Sequence, residues 1–261
     1  MLEAGQFCRR QYLRMSRKLT RMNPRHWLDR FLPDVCAFCR LQVARERICS
    51  ACKNDLPRLG FTCRRCAEPL TAAPSDELLC ARCQRQPPPW QSCRAVLPYA
   101  WPVDVALQRL KYSRQLVFAA AFGALLAQES AEVFAGVDAL CPVPLHRWRH
   151  LQRGFNQAEE LCRPVRRRTA LPLLRNVRRV RHTAAQSGLG QKARQQNLQD
   201  AFRVKGTCNF RHPLLIDDIM TTGETCRQLA QLLLEHGAES VSVLVVARAA
   251  TGVQAGAVVN V

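Results

Sequence analysis

A chain of 261 residues with 48% hydrophobic content excludes a wholly disordered protein and has room for one ordinary domain plus a smaller module. Its 39 lysines and arginines against 20 aspartates and glutamates give a formal charge of +19, which favours polyanionic partners such as nucleic acid, phosphorylated metabolites or acidic membrane surfaces. No apolar run approaches the roughly 18 residues of a membrane-spanning segment, and the arginine-rich start lacks the apolar stretch of a secretory signal, so a cytoplasmic location is expected.

Residues 1–30 read as a basic N-terminal extension to which no function is assigned. Residues 31–86 carry four C-x-x-C pairs: Cys36/Cys39, Cys49/Cys52, Cys63/Cys66 and Cys80/Cys83. Two thiolates three positions apart suit a knuckle turn that brings both sulfurs to one tetrahedral ion, and a second knuckle completes four ligands. Two structural zinc sites in series are therefore expected, although an interleaved pairing would use the same residues. The metal would supply folding energy to a segment too small for a core of its own. Disulfides are disfavoured in a chain with no secretion signal.

The PPP run within residues 87–92 is stiff and extended and reads as a linker. Residues 93–250 then alternate helix and strand signals, and residues 251–261 form a C-terminal tail. Apolar spacing predicts helices over Val103 to Leu110, Leu116 to Leu126, Gln157 to Arg167 and Glu224 to His236, the last ended by Gly237. Strands are predicted over Val137 to Val143, Leu214 to Ile216 and Val241 to Ala247. Leu145 to Gly154 reads as a basic loop, and Thr183 to Leu198 as a polar, glycine-punctuated one. The arginine-dense run from Arg163 to Arg181 has the plain reading of a solvated face. The alternation predicts an α/β domain with a mainly parallel sheet and a ligand beyond the carboxyl ends of its strands.

The chemistry concentrates in LLIDDIMTTGET, Leu214 to Thr225. Asp217 and Asp218 are expected at the end of a buried strand, where paired carboxylates repel unless a vicinal diol or magnesium satisfies them. Thr221, Thr222, Gly223, Glu224 and Thr225 lead into a helix, and hydroxyls with free backbone N–H groups at a helix start form an anion cradle. Diol acceptors followed by a phosphate cradle describe a 5-phosphorylated ribose. A plain helix cap would explain the threonines and leave the aspartates unexplained.

This stretch resembles the phosphoribosyl-diphosphate (PRPP) motif of type I phosphoribosyltransferases. CPVPLHRWRHLQRGFNQAEEL (Cys141 to Leu161), RHTAAQSGLGQKARQQNLQDAF (Arg181 to Phe202) and the cysteine module in front resemble the ComF/GntX family. The resemblance spans roughly residues 31–250 and implies a type I phosphoribosyltransferase-like domain preceded by a double zinc ribbon. It implies that Asp217 and Asp218 hold the ribose hydroxyls and that Thr221, Thr222, Gly223, Glu224 and Thr225 hold the 5-phosphate, with Arg147 and Arg153 near the pyrophosphate. Asp217, Asp218 and Arg153 are the implied catalytic positions, with magnesium accompanying PRPP. Arg181, Thr183, Gln186, Arg194 and Asn197 correspond to the flexible loop that closes over the ligand. The family's association with competence implies a role in DNA uptake or utilisation, with single-stranded DNA and uptake machinery as partners. The competing expectation is a conventional PRPP-dependent glycosyltransferase acting on a small nitrogen acceptor, which no residue of the sequence identifies.

Overall fold

The computed structural model describes residues 35–42, 44, 46–70, 78–129, 131–180, 201–206 and 209–250. The chain divides into two compact units between Leu56 and Pro57. The basic extension, the C-terminal tail and the expected closing-loop positions Arg181, Thr183, Gln186, Arg194 and Asn197 lie outside the described residues.

In the first unit a knuckle over Cys36 to Cys39 precedes helix α1 (Ser50–Asn54), whose N-cap is Cys49. Among its described residues, Phe38, Ile48 and Leu56 are the larger buried side chains. So small an apolar set fits a segment whose fold depends on metal.

The second unit opens with the second cysteine pairs and helix α2 (Ala81–Arg85). Its sheet contains β1 (Ser92–Pro98), β2 (Ala139–Pro142), β5 (Pro213–Met220) and β6 (Ser242–Arg248) in the order β1-β6-β5-β2. Every pairing is parallel, as expected for the alternating pattern. All seven residues of β6, SVLVVAR, are buried, which is why this strand reads as a continuous apolar run rather than an alternating one.

Helices α3 (Val103–Ser113), α4 (Val117–Ala127), α5 (Ala131–Phe134), α6 (Arg147–Arg153), α7 (Gln157–Thr169) and α8 (Glu224–Glu235) accompany the sheet. Nine of the eleven residues of α4 are buried. A Cβ at Gly123 would stand 2.7 Å from Pro164 Cγ and 2.8 Å from the Leu161 carbonyl, so only glycine lets α4 and α7 approach this closely. A small antiparallel ladder joins β3 (Val177–Arg179) to β4 (Phe202–Val204).

Four details depart from the sequence expectations. Leu145 to Gly154 is largely helical, because His146 Nδ1 caps α6 by accepting from Trp148 N at 3.3 Å and Gly154, at φ +80°, ends it. Strand β5 continues through both aspartates to Met220, since pairing of Asp217 with Val245 and of Ile219 with Ala247 holds the backbone whatever the side chain. Strand β1 and the β3/β4 ladder were not anticipated. No helix among the described residues is long and apolar enough to cross a membrane.

Candidate functional site

Strand β5 delivers its carboxylates directly from the core. Pro213 to Ile216 are buried, Asp217 is half-buried, and Asp218 is 3% exposed. The pleat sends successive side chains to opposite faces, so the two acids share a strand end without lying parallel. Lys111, in the last turn of α3, places Nζ 2.6 Å from Asp218 Oδ2. Asp217 Oδ1 accepts from the Asp218 N–H at 2.8 Å. Burial, followed by the adjacent Asp218 charge, pushes the Asp217 carboxyl well above the ordinary carboxylate range, and Lys111 opposes the shift. A diol or a cation is the chemistry that would relieve it.

From Met220 the chain turns through Thr221, Thr222 and Gly223 into α8. Gly223 is the N-cap at φ +79°, a left-handed conformation that favours glycine, and a Cβ there would meet the Trp90 ring at 3.4 Å. Thr222 Oγ1 accepts from Glu224 N at 3.5 Å, while the Glu224 carboxylate accepts from Gln228 Nε2 at 3.3 Å. The apolar face of α8 buries Cys226, Leu229, Ala230 and Leu233, which fixes the helix start beside the end of β5. First-turn N–H groups and hydroxyls are thus held in one place, a geometry suited to a phosphate.

Three arginines influence one another electrostatically, and one of them is influenced by Asp217. The Arg153 guanidinium lies 5.4 Å from the Tyr112 ring centroid and donates to Gln157 Oε1 at 3.0 Å. Arg149 is held below its usual range by burial and then by the Arg153 charge. Burial, with Arg149 as a like-charged neighbour, brings Arg179 down to about 10, while Asp217 acts in the opposite direction. Such a concentration of partly desolvated guanidinium groups favours an anionic ligand. Arg147 is exposed at the start of α6.

The structure therefore brings the aspartates and the threonine loop together and links Arg153 to them through Arg149 and Arg179. Lys111 and Arg179 escaped the sequence reading. Lys111 reads as the polar end of an amphipathic helix, and Arg179 belongs to the run that read as solvated; Arg163 in that run is exposed and pairs with Glu160, whereas Arg179 is largely enclosed. Asn156 serves the scaffold: it caps α7 by accepting from Ala158 N at 3.1 Å and donates to the Val143 carbonyl at 3.1 Å.

The cysteines gather as Cys36, Cys39, Cys49 and Cys52, and as Cys63, Cys66, Cys80 and Cys83, the sulfurs of each group lying within 4.8 Å of one another. This is the serial arrangement rather than the interleaved one. Backbone N–H groups point at sulfur, with Cys49 N to Cys36 Sγ at 3.4 Å and Cys52 N to Cys49 Sγ at 3.5 Å. A hydrogen bond from the Cys52 thiol is the largest influence bringing Cys36 down to about 4, and one from Cys66 does the same for Cys63. Four thiols packed this closely in each group fit tetrahedral structural zinc.

The Double zinc ribbon domain family matches residues 27–84, and the Phosphoribosyl transferase domain family matches residues 153–255. The chain is 37% identical over 220 residues to the DNA utilization protein YhgH of Salmonella typhimurium, covering 81% of this chain and 96% of that protein. It is 32% identical to Competence protein F of Haemophilus influenzae, over 82% of this chain and 96% of the other. Competence protein ComFC of Bacillus subtilis is 27% identical, over 76% and 82% respectively.

Proposed function

Because the chain belongs to the ComF/GntX family, in which a double zinc ribbon precedes a phosphoribosyltransferase-like domain, we propose that it binds PRPP with magnesium and acts in the uptake or utilisation of DNA. The observation that carries the ligand is the joint placement of the Asp217–Asp218 pair and the Thr221 to Thr225 turn at the end of one parallel strand. Asp217 and Asp218 accept the ribose hydroxyls, and the turn into α8 holds the 5-phosphate through N–H and hydroxyl groups. Arg149, Arg153 and Arg179 supply positive charge for the pyrophosphate.

Magnesium fits beside Asp217. Lys111 already pairs with Asp218, whereas Asp217 is the carboxyl whose ionised form the site disfavours. When bound, the ion would neutralise pyrophosphate oxygens and steady the ligand. The role in DNA handling draws on relatives named for DNA utilization and competence, and single-stranded DNA and uptake proteins are the partners this reading expects.

Calorimetric titration of the full chain with PRPP and magnesium should show binding that the double substitution Asp217→Asn and Asp218→Asn abolishes; unchanged affinity would remove the ligand assignment. The guanidinium groups also favour a second reading, transfer of the phosphoribosyl group to a nitrogen acceptor, because they could stabilise a departing pyrophosphate. A screen of nucleobases and small amines for pyrophosphate release separates the two readings. Release with any acceptor selects transfer, and binding without release selects the DNA-handling role.

A further inference from the structure

We propose that Arg248 is a positioning residue for the phosphate turn and that it links this turn to the second cysteine cluster. The proposal takes its ligand from the PRPP reading above, but the structural link stands apart from it.

Arg248 ends β6 and is 3% exposed. A buried guanidinium requires acceptors for its N–H groups, and those of Arg248 lie on two separate parts of the second unit. On one side Nε donates to the Cys66 carbonyl at 3.0 Å, and Nη2 pairs with the Glu68 carboxylate. On the other, Nη1 donates to the Met220 carbonyl at 3.0 Å, to the Thr221 carbonyl and to the Ala249 carbonyl at 2.7 Å. One rigid, planar group thus grips a cysteine knuckle, the last residue of β5 and the first residue of the phosphate turn.

Its hold on the turn has a direct geometric consequence. In a planar trans peptide the C=O and the following N–H point in opposite directions. Fixing the Met220 and Thr221 carbonyls toward Arg248 therefore turns the N–H groups of Thr221 and Thr222 away from it. Arg248 sets the direction of donors that a phosphate would meet without touching the phosphate itself.

The knuckle is anchored independently. Cys93 N donates to the Arg64 carbonyl at 2.9 Å, Arg65 Nη1 donates to the Trp90 carbonyl at 3.0 Å, and Trp90 Nε1 donates back to the Arg65 carbonyl. The Trp90 ring borders Gly223, and the Arg227 guanidinium of α8 lies 6.0 Å from its centroid. Cys66 is both a member of the second quartet and, through its carbonyl, a partner of Arg248. Closing that quartet around zinc fixes the carbonyl, and through Arg248 the turn inherits the same fixed position.

The test uses the full chain and two readouts: PRPP affinity with magnesium, and amide hydrogen exchange at residues 221–225. Arg248→Lys keeps the charge but lacks the planar fork; it should weaken affinity about tenfold, on the scale of a lost charge-assisted hydrogen bond, and speed exchange in the turn. Amides of Leu214 to Ile216 should remain protected. The pair Cys63→Ser and Cys66→Ser should reproduce both effects and add little to Arg248→Lys, whereas Cys36→Ser with Cys39→Ser should leave both readouts unchanged. Wild-type exchange in Arg248→Lys, or in the second-quartet variant, would overturn the link. If either change opens β5 as a whole, Glu68→Gln decides: faster turn exchange over a protected strand supports the link, and wild-type exchange overturns it. Absence of PRPP binding by the unaltered chain would remove the ligand assignment and leave hydrogen exchange to judge Arg248.

Discussion

The two cysteine quartets present the same ligand chemistry in different settings. The first is shaped by bonds close in sequence, such as Cys36 N to the Gln42 carbonyl at 2.8 Å and Ala37 N to the Arg47 carbonyl at 2.7 Å. In the second, Cys66, Glu68 and the knuckle between them and Cys63 are bonded to Trp90, just ahead of β1, and to Cys93 and Arg248 of the sheet. A closed four-cysteine site stabilises whatever its backbone is attached to. In the first unit this is a segment with few buried apolar side chains among its described residues; in the second it includes the end of β6 and the turn after β5.

The largest expected effect tests that difference in stability. Structural zinc contributes on the order of 10 kcal/mol to the segments it folds. With Cys63→Ser and Cys66→Ser the melting of the sheet, followed by far-ultraviolet circular dichroism, should fall by about 10 °C or more. With Cys36→Ser and Cys39→Ser it should move by no more than about 2 °C. Equal shifts from the two pairs would erase the distinction.

A smaller effect should follow from cutting one connection and leaving the eight quartet cysteines in place. Trp90 is 2% exposed, exchanges hydrogen bonds with Arg65 and packs beside Gly223. Trp90→Ala should cost about 3–5 kcal/mol in denaturant unfolding, the range for emptying a buried aromatic site. Zinc stoichiometry should stay at the wild-type value. Loss of one zinc per chain would mean that Trp90 supports the cluster itself rather than its attachment to the sheet.

Much of this arrangement was legible in sequence where its parts are contiguous. C-x-x-C spacing marked both quartets, the valine-rich run marked β6, and LLIDDIMTTGET marked the acids and the turn because strand, carboxylates and loop follow one another. The cations were not legible because their meaning depends on tertiary contact. Lys111 lies in the last turn of an ordinary amphipathic helix, Arg179 sits in an arginine-rich run, and Arg248 ends a strand while its partner Glu68 lies 180 positions earlier. Helix α6 was hidden by its charge and by Pro142 and Pro144, although His146 and Gly154 were its local cap signals.

The smallest predicted effect concerns Asp217, a carboxyl that should behave alike whichever setting the first quartet has. Its folded-state pKa is raised, chiefly by burial and then by Asp218, so the folded chain binds its proton more readily than the unfolded chain does. Stability is therefore lost as pH rises above the ordinary carboxylate range, and below that range the group is protonated in both states and contributes no difference. Asp217→Asn should stabilise the chain at neutral pH, with the gain vanishing below the ordinary carboxylate range. Asparagine can still accept the Asp218 N–H, so the gain isolates the charge rather than the hydrogen bond. Thermal melts across pH should show the same gain in the Cys36→Ser, Cys39→Ser background, since that quartet belongs to the other compact unit. A gain that depends on the first quartet would show that it reaches the acid pair after all, and the contrast between the two clusters would fall.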